Sequence, residues 1–199
     1  MIKVVQTSIG CSLSWPGWQL CFDRIGDRWM HSLQEWLGTS VSPDRRFFIS
    51  LEGEKEDAWP RSPAFQDLYL ERISSDCYEV QLLGQAGKNH YSGAIRCNSA
   101  INVIDFDLAV RIQSLPTVPL AMSSYLCLIE KSPAQLPRWN IVPQPIPGSP
   151  QLTRVDHDQI AGETGNEVPL QLIVNDLQAL KFEKQRATIR WKYQMFLDS

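Results

Sequence analysis

The sequence predicts a mainly β protein, an antiparallel barrel or sandwich, with an α+β arrangement as the alternative. Three stretches carry that prediction. Along residues 188–197, Ile189, Trp191, Tyr193, Met195 and Leu197 fall on one side, and Thr188, Arg190, Lys192 and Gln194 on the other. Residues 101–113 repeat the pattern: Ile104, Phe106, Leu108, Val110 and Ile112 oppose Asp105, Asp107, Arg111 and Gln113. Period two is the mark of a half-buried strand. Upstream, Tyr78, Val80 and Leu82 alternate with Glu79 and Gln81. The run Gly84-Gln85-Ala86-Gly87-Lys88-Asn89 supplies a turn, and Tyr91, Ile95 and Cys97 mark a return strand. Residues 78–113 therefore read as a three-stranded antiparallel meander.

Weaker elements fill in around these. Met1 to Thr7 reads as a first strand, and 18–22, 47–51, 125–129 and 168–174 as short ones. One short helix is expected near 28–37. Trp29, Met30, Leu33, Trp36 and Leu37 recur at helical spacing, Asp27 stands as an N-cap and Gly38 as a C′ glycine. Ser62-Pro63 either opens a second helix with Phe65, Leu68 and Tyr69 on its buried side or precedes a strand, and 176–185 is equally ambiguous. Between 131 and 165, Pro133, Pro137, Pro143, Pro145, Pro147 and Pro150 argue for an irregular segment that wraps the surface or forms a lid. The whole, 1–199, is expected to be a single β-rich domain.

Composition narrows the function classes. A hydrophobic fraction of 43%, a charged fraction of 21% and a net charge of -3 are ordinary for a globular protein. No basic stripe suggests a nucleic-acid partner, and no apolar run approaches a membrane span. The N-terminal residues lack a secretory apolar block. Cys11, Cys21, Cys77, Cys97 and Cys127 are odd in number and form no C-x-x-C pair, which suits reduced thiols in the cytoplasm. His31, His90 and His157 are too scattered for a histidine metal site, and His31 is expected on the polar side of the helix. No G-x-S-x-G elbow, P-loop or dinucleotide glycine fingerprint is present, so no catalytic residue, metal or cofactor is assigned.

Five residues are candidates for a binding site. His90 lies at the tip of the hairpin and shares a face with Ser92, Ala94 and Arg96. Asp105, Asp107 and Arg111 share one strand face, where alternate carboxylates could bind a metal or do acid–base work in a barrel interior, or simply pair with cations on adjacent strands. Asp156-His157-Asp158 is the other suggestive triplet, although neighbours on an extended chain point apart. Among the seven tryptophans, Trp29, Trp36 and Trp191 suit core faces, while Trp15, Trp18, Trp59 and Trp139 lie near strand ends that could line a ligand site. Glu52-Gly53-Glu54-Lys55 fails the Glu-x-Glu-x-Lys spacing of triphosphate tunnel enzymes. Trp15-Pro16-Gly17-Trp18 with the late Arg190-Trp191 resembles in outline the Gly-x-Trp and late Arg of lipocalins, but Gly17 and Trp18 are adjacent. That likeness covers a handful of residues; it keeps a ligand-holding barrel in view and makes no family assignment.

The expectation is a non-enzymatic β-domain that binds a small apolar ligand or a protein. The alternatives are a hydrolase-like site assembled from His90, His157 and one of Asp105, Asp107 or Asp156, and a structural or oligomerising module.

Overall fold

The computed structural model describes residues 1–38, 46–53, 55–113, 121–128, 139–147, 152–156, 167–174 and 187–198. Its elements are β1 (Lys3–Gln6), β2 (Gly10–Trp15), β3 (Gly17–Ile25), β4 (Arg28–Trp36), β5 (Arg46–Ser50), β6 (Asp67–Arg72) and β7 (Cys77–Ala86). They continue with β8 (Asn89–Asn98), β9 (Val103–Ile112), β10 (Ala121–Leu128), β11 (Trp139–Gln144), β12 (Leu152–Asp156), β13 (Glu167–Val174) and β14 (Ala187–Leu197). An eight-stranded sheet runs β1-β2-β3-β4-β5-β10-β13-β12, and a six-stranded sheet runs β11-β14-β9-β8-β7-β6. Every pairing is antiparallel. The arrangement is sandwich-like. Neither sheet closes on itself, which sets aside the barrel, and no helix forms among the described residues, which sets aside the α+β alternative.

Local chemistry fixes the hairpins. Pro16-Gly17 turns the chain between paired Trp15 and Trp18, with Gly17 at φ 84°, the left-handed angle that a type II turn requires of its third residue. The meander is present as β7, β8 and β9. Ala86 opposes Asn89 across a two-residue turn, and Cys97 opposes Ile104. β14 then lies against β9, with Trp191 opposite Leu108 and Tyr193 opposite Phe106. Trp191, Tyr193, Phe106, Ile95 and Leu82 face Phe22, Phe48, Leu20, Leu33 and Tyr125 of the larger sheet, all essentially without solvent exposure.

The short helix expected near 28–37 is strand β4. Gly26, at φ 62°, and Asp27 form the two-residue turn between Ile25 and Arg28, so the residue that resembled an N-cap is a hairpin residue. β3 and β5 pair with β4 on its two sides, and that tertiary pairing outweighs the helical spacing of its apolar residues. His31 sits on the core side at 3% exposure, not on a polar helix face. The open choice at 62–69 resolves as strand β6, preceded by an irregular run in which Ala64 and Phe65 are buried.

The segment 131–165 is not irregular throughout. It contains β11, the edge of the small sheet, and β12, the edge of the large one. Pro143 lies in β11, and an edge strand tolerates the missing N–H because its outer side has no ladder partner. Arg154 Nη1 donates to Asn140 Oδ1 at 3.2 Å, joining β12 to β11. The residues 176–185, with His157 and Asp158, lie outside the described residues.

Candidate functional site

Two groupings of polar side chains stand out, one inside the sandwich and one on its surface. The inner one starts at the end of β5. Phe48 and Ser50 face the core in period two, and continuing that phase carries Glu52 inward. Its side chain is 9% exposed. Ser50 Oγ donates to Glu52 Oε1 and accepts from the His31 backbone N–H at 2.9 Å. His31 Nδ1 lies 3.9 Å from Glu52 Oε1, and its Nε2 is 3.1 Å from the Tyr125 hydroxyl. Tyr125 is hydrogen-bonded to the Tyr193 hydroxyl on the opposite sheet. Ser123 Oγ accepts from Trp191 Nε1 at 3.2 Å, a second bond between the sheets. Tyr193 also stacks on Phe106 with centroids 4.4 Å apart. A polar string from Glu52 to Tyr193 thus crosses the core from one sheet to the other.

Burial sets the protonation of this string. It pushes Glu52 up to about 8, against the lowering effects of the Ser50 hydrogen bond and nearby Arg28. It pushes His31 down to about 3 and Tyr125 well above the usual phenol range. Near neutral pH the carboxyl, imidazole and phenols are therefore all uncharged. An imidazole that resists protonation this strongly is a poor general base at pH 7. Arg28, 3% exposed, donates from Nη1 to the Glu52 carbonyl. Arg28 Nε and Glu52 Oε2 are buried without hydrogen-bond partners among the described residues.

The outer grouping contains all five candidate residues. His90, Arg96, Asp105, Asp107 and Arg111 lie on the solvent face of the six-stranded sheet, because each sits out of phase with the core positions of β8 and β9. His90 stands across from Gln85 and Arg111. Arg96 clasps Glu79 through Nε at 3.0 Å and Nη2 at 2.6 Å. Asp105 accepts from Gln194 at 2.6 Å. Asp107 is bound by Arg190 Nε at 2.7 Å, by Arg190 Nη2 at 2.5 Å and by Lys192 at 2.6 Å. Partial burial raises the Asp107 carboxyl, but those hydrogen bonds outweigh it and hold it below its usual range. Exposed cross-strand pairs of this kind contribute little. Arg96→Ala is expected to cost no more than about 1 kcal/mol in urea unfolding, and a loss several-fold larger would show that the pair holds the sheet together.

Between these charges lies a floor of small side chains: Ser92 and Ala94 of β8, and Ala109 of β9. Gln81 and Leu83 of β7 flank it on one side, and Arg190 and Lys192 of β14 on the other. The His90–Arg111 row closes one end and the Arg96–Asp105 row the other. At roughly 3.3 Å per residue, the trough spans about 20 Å along the strands. The opposite face of the protein differs: Ser14, Gln19, Ser32 and Gln34, on the outer face of the eight-stranded sheet, are buried.

Sequence reasoning found the outer residues and missed Arg28, Ser50, Glu52, Ser123 and Tyr125. Their one local signal is the Phe48, Ser50, Glu52 phase; the rest is assembled by pairing of distant strands. Trp15 and Trp18, expected at strand ends, are buried there at 2% and 3%. The side chains of Asp156 and Trp139 lie outside the described residues. Among the described residues, no group of three or more His, Cys, Asp or Glu is placed to hold a metal ion, and no helix is long and apolar enough to cross a membrane.

Fold and face together define a two-sheet antiparallel β protein with one open, charge-rimmed sheet surface. No protein-family model matches the chain, and no curated protein matches it.

Proposed function

We propose that this protein is a non-enzymatic binding domain that takes an extended segment of a protein partner on the outer face of its six-stranded sheet. The observation that carries this reading is the floor of Ser92, Ala94 and Ala109, set between side chains already fixed by cross-strand pairs. Groups held in place before binding lose little entropy on binding. A flat floor of small residues lets another backbone approach closely. A protein segment is favoured over a small apolar ligand because the described interior is filled by Trp191, Tyr125, Tyr193, Phe22, Phe48, Phe65 and Phe106. The five cysteines are free thiols, which supports a reducing, cytoplasmic setting.

Selection of a displayed random-peptide library on the full chain tests the proposal. Clones are expected that bind the parent and lose binding to Ala109→Arg, which fills the floor with a long charged side chain. A selection that yields only clones indifferent to Ala109→Arg sinks the reading.

A further inference from the structure

We propose that β6, the edge strand of the six-stranded sheet, is an interface on which a second copy of this chain adds its own β6, antiparallel and with Leu70 against Leu70. The backbone prepares it. Register sets Arg72 opposite Tyr78, and Ile73 N donates to Cys77 O at 3.0 Å. In an antiparallel pair, residues bonded to the neighbouring strand alternate with residues turned away from it. Ile73, Glu71 and Tyr69 therefore turn their backbone groups to β7, while Leu68, Leu70 and Arg72 turn theirs out of the sheet. Among the described strands, β7 alone pairs with β6. The side chains favour company as well. Asp67, Tyr69, Glu71 and Ile73 share the outer face with Leu83, which stands opposite Asp67. Tyr69 is 58% exposed, Ile73 51% and Leu83 48%, so three large apolar side chains crowd this one edge. Outward backbone groups beside exposed apolar side chains are a template for a further strand.

Charge decides which strand fits. Charged residues on an edge ordinarily block pairing. Outward groups must meet outward groups, so for two copies related by a two-fold axis the residue on that axis is Tyr69, Leu70 or Glu71 when most of the strand overlaps. Tyr69 against Tyr69 sets Asp67 opposite Glu71 twice. Glu71 against Glu71 opposes two carboxylates directly. Leu70 against Leu70 sets Tyr69 opposite Glu71, Leu68 opposite Arg72 and Asp67 opposite Ile73, with no like charges face to face. There Tyr69 also lies diagonally across the seam from Tyr69 and Ile73 of the second copy, a span that an aromatic side chain reaches. The charges of β6 thus reject two alignments with itself and admit one. A two-fold contact uses both β6 edges, so assembly through it stops at a dimer. β6 lies outside the trough bounded by β7 and β14, so dimerisation and capture of a partner segment are separable.

Sedimentation equilibrium of the full chain, from low to hundreds of micromolar, tests this, with circular dichroism confirming that each variant folds. The parent is expected to pass from monomer to dimer as concentration rises. Tyr69→Glu sets a new carboxylate opposite Glu71 of the second copy at two symmetric places and should weaken the dimer about tenfold. Adding Glu71→Lys to Tyr69→Glu turns both places into opposite-charge pairs and should restore the parent's affinity. In the alignment centred on Tyr69, the same double variant would set the two introduced carboxylates against each other and stay weak. Arg72→Pro removes an outward N–H from an exposed position and leaves the Ile73 bond to Cys77 in place, so it should abolish the dimer. A parent that stays monomeric throughout overturns the proposal. So does a dimer that neither Arg72→Pro nor Tyr69→Glu weakens, or one that Tyr69→Glu weakens and the double variant fails to restore.

Discussion

Glu52→Gln is expected to keep its unfolding free energy level as pH rises from 6.5 to 8, while the parent loses stability across that window. Burial raises the Glu52 carboxyl from 4.5 to about 8 in the folded protein. The native state therefore holds a proton that the unfolded chain gives up. The resulting stabilisation is complete below the unfolded value and is lost as pH climbs through the folded one, at about 1.4 kcal/mol per unit. His31 works in the opposite sense. Burial lowers its imidazole from 6.5 to about 3, so the unfolded chain takes the proton first, and stability is lost as pH falls through that range. Between 4.5 and 6.5 the two slopes cancel, and these residues give a plateau. Above it Glu52 sets the slope, with a loss on the order of 2 kcal/mol between 6.5 and about 8. Glutamine keeps the shape of the protonated acid and cannot ionise. Urea unfolding at a series of pH values checks this. A Glu52→Gln curve that falls as steeply as the parent's above 6.5 rules Glu52 out as the cause. His31→Asn should flatten the acid limb instead.

Gly84→Ala should destabilise the protein by about 3 kcal/mol or more, far beyond a usual glycine-to-alanine change in a strand. Gly84 faces inward on β7 beneath the run that leads from β5 to β6. A Cβ there would overlap the Ala64 carbonyl oxygen and sit 2.8 Å from its carbon. The obstacle is backbone, which cannot rotate away as a side chain would. The Ala64 run cannot easily shift either. It is tied down by Phe65 O accepting from Trp29 N at 2.8 Å, Gln66 N donating to Leu83 O at 2.8 Å, and Ser62 Oγ donating to Ser124 O at 2.9 Å. Thermal unfolding is the measurement. A melting temperature within about one degree of the parent's, a shift under that of about 1 kcal/mol for a chain of this size, would show that this run can move.

How much of the molecule the sequence discloses depends on what covers each strand. β9 and β14 have one face in the core and one in water, so Ile189 alternates with Arg190 and Phe106 with Asp107, and the period is visible. β4 is buried on both faces: Trp29 and Leu33 point to the core, while Ser32 and Gln34 are buried on the other side. Polarity then no longer marks direction, and its apolar residues fall by chance at helical spacing. Asp27 and Gly38 could not break the tie, since the same residue types cap helices and turn hairpins. The outer-face candidates were legible for the reason β9 was. The inner string was not, because β4, β5, β10 and β14 each contribute a polar residue or two whose neutral, buried state exists only once both sheets are in place.

The position of β14 has a consequence for the making of the protein. It follows every other described strand in the chain, yet it occupies an interior place in its sheet, between β9 and β11. On the ribosome, β9 is synthesised long before its partner, and the apolar row of Ile104, Phe106 and Leu108 has no neighbour on that side. A nascent chain halted between Gln144 and Ala187 leaves β9 with an unpaired edge and β11 with no partner in its sheet, and it lacks Tyr193, which closes the hydrogen-bonded bridge to Tyr125. The smaller sheet is therefore completed from within, by the last described strand to emerge, and until then its growing chain is most open to capture by chaperones or by other chains.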